Sequence, residues 1–199
     1  MLMWQGLLSG QPPNEIFRLG VNGTTVYDVY GHTITSNMGV VSGALVGDGT
    51  AKSAIISNPA DFTFGTNDFE IEAEVYRTGN APTTLGCLVS RSTVNIAGGF
   101  AFLLLNNVPT VYLTDATQTS NWKFVMGGGT CPLNTWTRLR VARVGSLVSL
   151  YVDDVLVNSQ PYTLAVGTSN ISTAIGGNAD RSHPMVGHIK NVVIRHMKK

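Results

Sequence analysis

This sequence predicts an almost all-β fold, a two-sheet antiparallel sandwich of jelly-roll type with an N-terminal arm. Three observations carry that prediction. Helix formers are scarce, with four Glu and five Lys among 199 residues, although exposed helix faces are normally filled with Glu, Lys, Gln and Ala. Thr, Val, Ser and Asn are abundant and Gly occurs 22 times, a strand-and-turn vocabulary. Apolar and polar residues alternate in short runs broken by Gly, Asn, Asp or Pro, the pattern of half-buried strands.

Along the chain, residues 1–20 are irregular, broken at Gln11-Pro12-Pro13-Asn14, and read as the arm; the sandwich is expected over 21–199. Strands are expected near 24–30, 40–46 and 53–57. The clearest alternation is Phe69-Glu70-Ile71-Glu72-Ala73-Glu74-Val75, with three glutamates opposite four apolar residues. Runs near 86–91, 99–105, 109–114 and 121–126 follow. In Trp136-Thr137-Arg138-Leu139-Arg140-Val141, Leu139 and Val141 oppose Arg138 and Arg140. Leu147–Val152 turns at Asp153-Asp154 into Val155-Leu156-Val157, a tight hairpin. The last runs lie near 172–176 and 186–195. Many short strands without helical interludes give a sandwich or jelly roll, and no repeat or linker divides it.

Composition excludes several function classes. A formal net charge of +1 supplies no field for nucleic acid or anionic lipid. No stretch approaches the roughly 20 apolar residues of a membrane helix. The opening Met1-Leu2-Met3-Trp4-Gln5-Gly6 has no basic start, so no secretory leader is expected. Cys87 and Cys131 form no CxxC pair, which fits synthesis in a reducing host cytoplasm.

A family resemblance rests on six segments in order: Tyr27-Asp28-Val29-Tyr30-Gly31-His32, residues Asp61 to Ala73, Trp136 to Ala142, Leu150-Tyr151-Val152-Asp153, Ile175-Gly176-Gly177, and Gly187-His188-Ile189-Lys190-Asn191-Val192. Together they resemble a laminin-G-like domain of the concanavalin A-like lectin/glucanase group, in the style of bacteriophage virion-associated versions. The resemblance implies a jelly roll with Trp136 in its core. It implies little about activity, because one fold hosts many functions.

Five features are candidates for function. Glu70, Glu72 and Glu74 share one strand face at about 6.5–7 Å spacing; glucanases of this fold use such a run, and a retaining pair needs about 5–5.5 Å. The same face, opposed by Arg138 and Arg140, reads equally as cross-strand ion pairing worth about 0.2–1 kcal/mol per pair. Calcium is the one cofactor entertained, because related domains hold it at a loop rim and Asp48, Asp115, Asp153, Asp154 and Asp180 lie in turns; aspartate in turns ordinarily serves its own backbone. His32, His183, His188 and His196 lack metal-site spacing, and only His183 and His188 are close enough in sequence to converge. Trp122, with Asn121, Tyr112 and Asn107 at the same rim, is the candidate glycan platform. In the arm, Leu2, Met3, Trp4, Leu7, Leu8, Ile16 and Phe17 form an apolar set of the kind that marks an interface.

The expected function is therefore a non-catalytic structural or adhesive subunit of a virion, such as a capsid decoration protein or fibre module. Its expected partners are other virion subunits, copies of itself and a host surface glycan. The alternatives are a stand-alone lectin domain and a glycoside hydrolase using the Glu70/Glu72/Glu74 strand.

Overall fold

The computed structural model describes residues 14–57, 59–93, 95, 99–115 and 122–197. Its strands are β1 (Asn14–Asn22), β2 (Thr25–Asp28), β3 (Ile34–Ser36), β4 (Gly39–Val41), β5 (Ala44–Asp48), β6 (Ala54–Ile56), β7 (Asp68–Arg77) and β8 (Leu85–Ser90). They continue as β9 (Phe100–Leu105), β10 (Val108–Leu113), β11 (Phe124–Gly127), β12 (Trp136–Val144), β13 (Leu147–Val152), β14 (Val155–Pro161), β15 (Thr173–Ile175) and β16 (Val186–Met197). The helical content of the described residues is a four-residue 3-10 turn at Pro59–Phe62.

One sheet runs β14-β13-β12-β7-β16-β1-β2, with β5 and then β4 added beside the first half of β16. The other runs β11-β10-β9-β8-β15-β6-β3. All named pairings are antiparallel, as the alternation requires. Along β7, Phe69, Ile71, Ala73 and Val75 are fully buried between the sheets, so the glutamates between them face outward. Phe69 stacks on Phe64 at 4.2 Å, and Phe100 leans on Phe64 at 5.1 Å. Each such buried ring contributes roughly 1.5–3 kcal/mol of transfer free energy.

Two expectations are corrected. The described part of the arm is strand: β1 pairs with β16 on one side and β2 on the other. Phe17 is fully buried and meets the Phe62 ring at 6.2 Å, and Ile16 packs against the same core. Neither is a free docking residue, because Phe17 is buried inside this sandwich and Ile16 is partly buried against it. Leu2, Met3, Trp4, Leu7 and Leu8 lie outside the described residues. The run at 40–46 is not one strand but the hairpin β4–β5, turned at Ser42 (φ 50°) and Gly43 (φ 77°), a conformation that two-residue hairpin turns demand.

Candidate functional site

On the outer face of the nine-stranded sheet, the three glutamates are held by cations. Arg138 donates through Nε and Nη2 to both oxygens of Glu72, at 3.1 and 2.9 Å. Arg140 reaches Glu70 at 3.1 Å, and Arg195 donates to the other Glu70 oxygen. Lys190 lies 3.4 Å from Glu74, which also accepts a hydrogen bond from Asn191. The β12 pairs are diagonal to the register, which sets Arg138 opposite Glu74 and Arg140 opposite Glu72, whereas on β16 Lys190 and Arg195 stand directly opposite Glu74 and Glu70. Fork-shaped guanidinium contacts fix the carboxylates in place, and this face reads as an ion-pair lattice.

The outer face of the seven-stranded sheet is different. Cys87, Ala101 and Leu103 form a nearly fully covered apolar floor. Tyr112 and the half-buried Trp122 rise on its β10 side and meet edge to face, ring centroids 5.3 Å apart. Facing them are Ser92, Thr93, Asn178 and His183, and the whole encloses a cleft of about 160 Å³. The polar side is built by the residues after β8 and by the chain between β15 and β16. Asn178 Oδ1 accepts from Cys87 Sγ, Ser90 Oγ and Ser92 Oγ, and its Nδ2 donates to Ser182 Oγ at 2.9 Å. That amide oxygen is fully engaged and anchors the loop. His183 sits beside it at φ 51°, an uncommon conformation for a non-glycine residue, with Nδ1 3.3 Å from Thr83 Oγ1. Burial pushes the Cys87 thiol up to about 12 and raises the Tyr112 phenol, so both present neutral groups at physiological pH.

Of the expected glycan residues, the fold brings Trp122 and Tyr112 together and separates Asn107. Asn107 lies in the β9–β10 turn, five residues from Tyr112 or about 17 Å along the strand, and lines another cleft. Asn121 lies outside the described residues. His183 joins the two rings instead, a place that no spacing in the sequence singles out. His183 and His188 do not converge: His188 lies on the other sheet, against Tyr76 and Trp136.

Trp136, expected in the core, is 38% exposed. It shares the outward parity of Arg138 and Arg140, tilts against Tyr76 at 5.5 Å and carries the Lys190 ammonium 4.1 Å from its ring centre. Val41, Ser42, Tyr76 and His188 complete this open aromatic group. Trp136→Ala is therefore expected to lower stability by about 1–2 kcal/mol, well short of the roughly 3–5 kcal/mol of a core tryptophan. Urea unfolding of the variant checks it, and a loss in the core range would return Trp136 to the core.

Among the described residues, no group of three or more His, Cys, Asp or Glu side chains is placed to hold a metal ion. The turn aspartates serve the fold instead: Asp48 accepts from Thr50 and Lys52, and Asp153 and Asp154 accept from Arg138.

A family model for Laminin_G_3, of the concanavalin A-like lectin/glucanases superfamily, matches residues 48–196. The chain belongs to that family. No curated protein matches the sequence significantly. Among solved structures, this laminin-G-like domain is similar to the binding domain of Paraclostridial Mosquitocidal Protein 1, with TM-score 0.70 and 14% identity over 94% of this chain and 49% of that one. It is similar also to the receptor binding domain of botulinum neurotoxin D, with TM-score 0.70 and 12% identity over 94% of this chain and 50% of the other. A third is Domain 4 of AbnA, a GH43 extracellular arabinanase from Geobacillus stearothermophilus, in complex with arabinotriose. There the TM-score is 0.58 and the identity 17%, over 83% and 76% of the two chains. The domain spans about half the length of the two toxin binding domains, and at these identities the likeness is one of fold.

Proposed function

We propose that this domain is a non-catalytic glycan-binding module and that the Trp122–Tyr112 cleft is its site. The observation that carries this reading is the pair of aromatic rings at 5.3 Å facing a polar loop across an apolar floor. Sugars offer an apolar ring face and a rim of hydroxyls, and such a cleft has a surface for each. Domain 4 of the arabinanase, similar in fold, is described in complex with arabinotriose, which supports the reading. The engagement of Glu70, Glu72 and Glu74 by Arg138, Arg140, Arg195 and Lys190 supports a binding role over hydrolysis.

A glycan array followed by calorimetry tests it. The expected result is binding of a defined glycan that Trp122→Ala weakens at least tenfold, about 1.4 kcal/mol, while Trp136→Ala leaves it unchanged. Equal binding by wild type and Trp122→Ala would falsify the assignment of the cleft.

A structural role in a viral particle is the second reading, and one observation supports the pairing with another chain that it requires. β14 is an edge strand with Val155 and Leu156 more than half exposed, and such an edge is a template for pairing with another chain. Sedimentation of native source material is the check. Pelleting in stoichiometric amount with capsid or tail protein supports this role, and a chain left in the soluble fraction removes it.

A further inference from the structure

We infer that the end of the sandwich beside Arg77 is a second ligand site, specific for a small acidic sugar such as a uronic acid. Arg77 continues the inward series Phe69, Ile71, Ala73, Val75 and so enters the space between the sheets, where it is 6% exposed. It lines a cleft of about 290 Å³ that lies on the opposite face of β8 and β9 from the Trp122 cleft. Gly86 and Leu104 line the Arg77 cleft, whereas Leu85, Cys87 and Leu103 line the other. The two sites are therefore separate, and this inference stands apart from the glycan reading of the Trp122 cleft.

The chemistry at this cleft is one-sided. Arg77 alone carries a charge among the described residues that line it. Its guanidinium donates to two neutral acceptors, Cys131 O and Asn80 Oδ1, out of five N–H donors in the fork. A buried cation without a counter-charge is unfavourable by several kcal/mol, and a carboxylate is the group whose shape and charge match that fork. Arg91 shows what a purely structural buried arginine looks like. Arg91 donates to four acceptors, namely Ile171 O, Phe62 O, Thr63 Oγ1 and Ser169 O. Arg143, like Arg77, donates to two neutral acceptors, the Gly145 and Gly65 carbonyls, but it also lies over the Tyr162 ring and in the field of the Asp68 carboxylate. Around Arg77, by contrast, Asn80, Thr83, Thr84, Asn106 and Asn107 offer amides and hydroxyls, the groups that recognise a polyol. A carboxylate on a hydroxylated ring uses both features.

Titration of isotopically labelled protein with glucuronate and with its neutral methyl ester, read by amide chemical shifts, tests the inference. Glucuronate is expected to move the amides of Gly79, Asn80, Asn106 and Asn107 at millimolar concentration, and the ester to bind at least tenfold more weakly. Arg77→Gln is expected to abolish the difference between acid and ester. Should that variant fail to fold, Asn107→Gly removes a rim amide at a position with φ 71° that glycine accepts freely, and about a threefold loss is expected. Trp122→Ala is expected to leave glucuronate binding unchanged, which keeps this result distinct from the fate of the other cleft. Acid and ester binding alike, or no shift of these amides by glucuronate, overturns the inference.

Discussion

Arg91→Met is expected to destabilise the domain by about 2–4 kcal/mol, a large loss for the truncation of one side chain. Arg91 follows β8, is 2% exposed, and donates to Phe62 O and Thr63 Oγ1 at 2.9 Å each, to Ile171 O at 3.2 Å and to Ser169 O. One guanidinium thus ties the 3-10 turn and the segment before β15 to the end of β8. Two effects oppose each other on substitution. Methionine fills much of the volume and relieves a desolvated charge, and exchanging buried ions for apolar groups is often neutral. That exchange is neutral only when both partners are replaced, and here the carbonyls stay. Each buried acceptor left without a donor costs about 1–3 kcal/mol, and several are left at once, so the loss outweighs the relief. A lower urea midpoint at unchanged slope is the expected signature. An unchanged midpoint would mean that water replaces the guanidinium at those carbonyls. Arg91→Lys is expected to recover only part of the loss, because one ammonium cannot reach acceptors spread around a planar fork.

Strands of the nine-stranded sheet are legible because alternation is a local signal: β7, β12, β13 and β16 fall close to where the sequence puts them, and β14 starts at the expected Val155 but runs on to Pro161. The errors came where another cue outvoted that signal. In β1, Phe17, Leu19 and Val21 alternate with Arg18, Gly20 and Asn22, yet the preceding Pro-Pro break suggested an arm. In β12, the parity of Leu139 and Val141 already placed Trp136 on the outer face, against the core position that the resemblance implied. The same parity points Arg77 and Arg143 inward with their strands' apolar residues, so two of the buried arginines were readable as well. What no local rule supplies is a change of parity. Asn191, at φ 51°, adds a bulge to β16, so that Lys190 pairs with Glu74 but Val193 with Glu72. An extra residue of that kind shifts every later side chain to the other face. The Trp122 cleft was half legible for a related reason. Tyr112 and Trp122 announce themselves by type, whereas His183 and Asn178 arrive through a loop whose path depends on long-range hydrogen bonds to Ser90 and Ser92.

Gly187→Ala is the backbone counterpart of the Arg91 experiment, and its expected effect is larger still: a loss of more than about 4 kcal/mol, or no folded protein. Gly187 pairs with Arg77 on β7 and with Gly47 on β5 at φ 136°, a conformation that L side chains rarely adopt. A Cβ there would stand 2.1 Å from the Tyr76 carbonyl oxygen and 3.0 Å from the Arg77 Cα. Both obstacles are backbone of the central strand, so no rotamer change relieves them, and β16 must move away from β7. Gly145→Ala supplies the reference for positive φ in open space. Gly145 also has positive φ, 61°, but an added Cβ meets nothing within 4 Å, so only the left-handed penalty of about 1–2 kcal/mol applies. Thermal or urea unfolding of the two variants side by side makes the comparison. A Gly187→Ala loss well beyond that of Gly145→Ala is the signature of the close strand approach together with its more extreme φ, and equal losses would show that β16 yields to the added Cβ at no extra cost. The distinction reaches the candidate sites, because His188 and Arg77 flank this contact. A shift of β16 there would disturb the Trp136 group on one face and the Arg77 cleft between the sheets, while leaving the Trp122 cleft, on the far sheet, to report whether the rest of the sandwich survives.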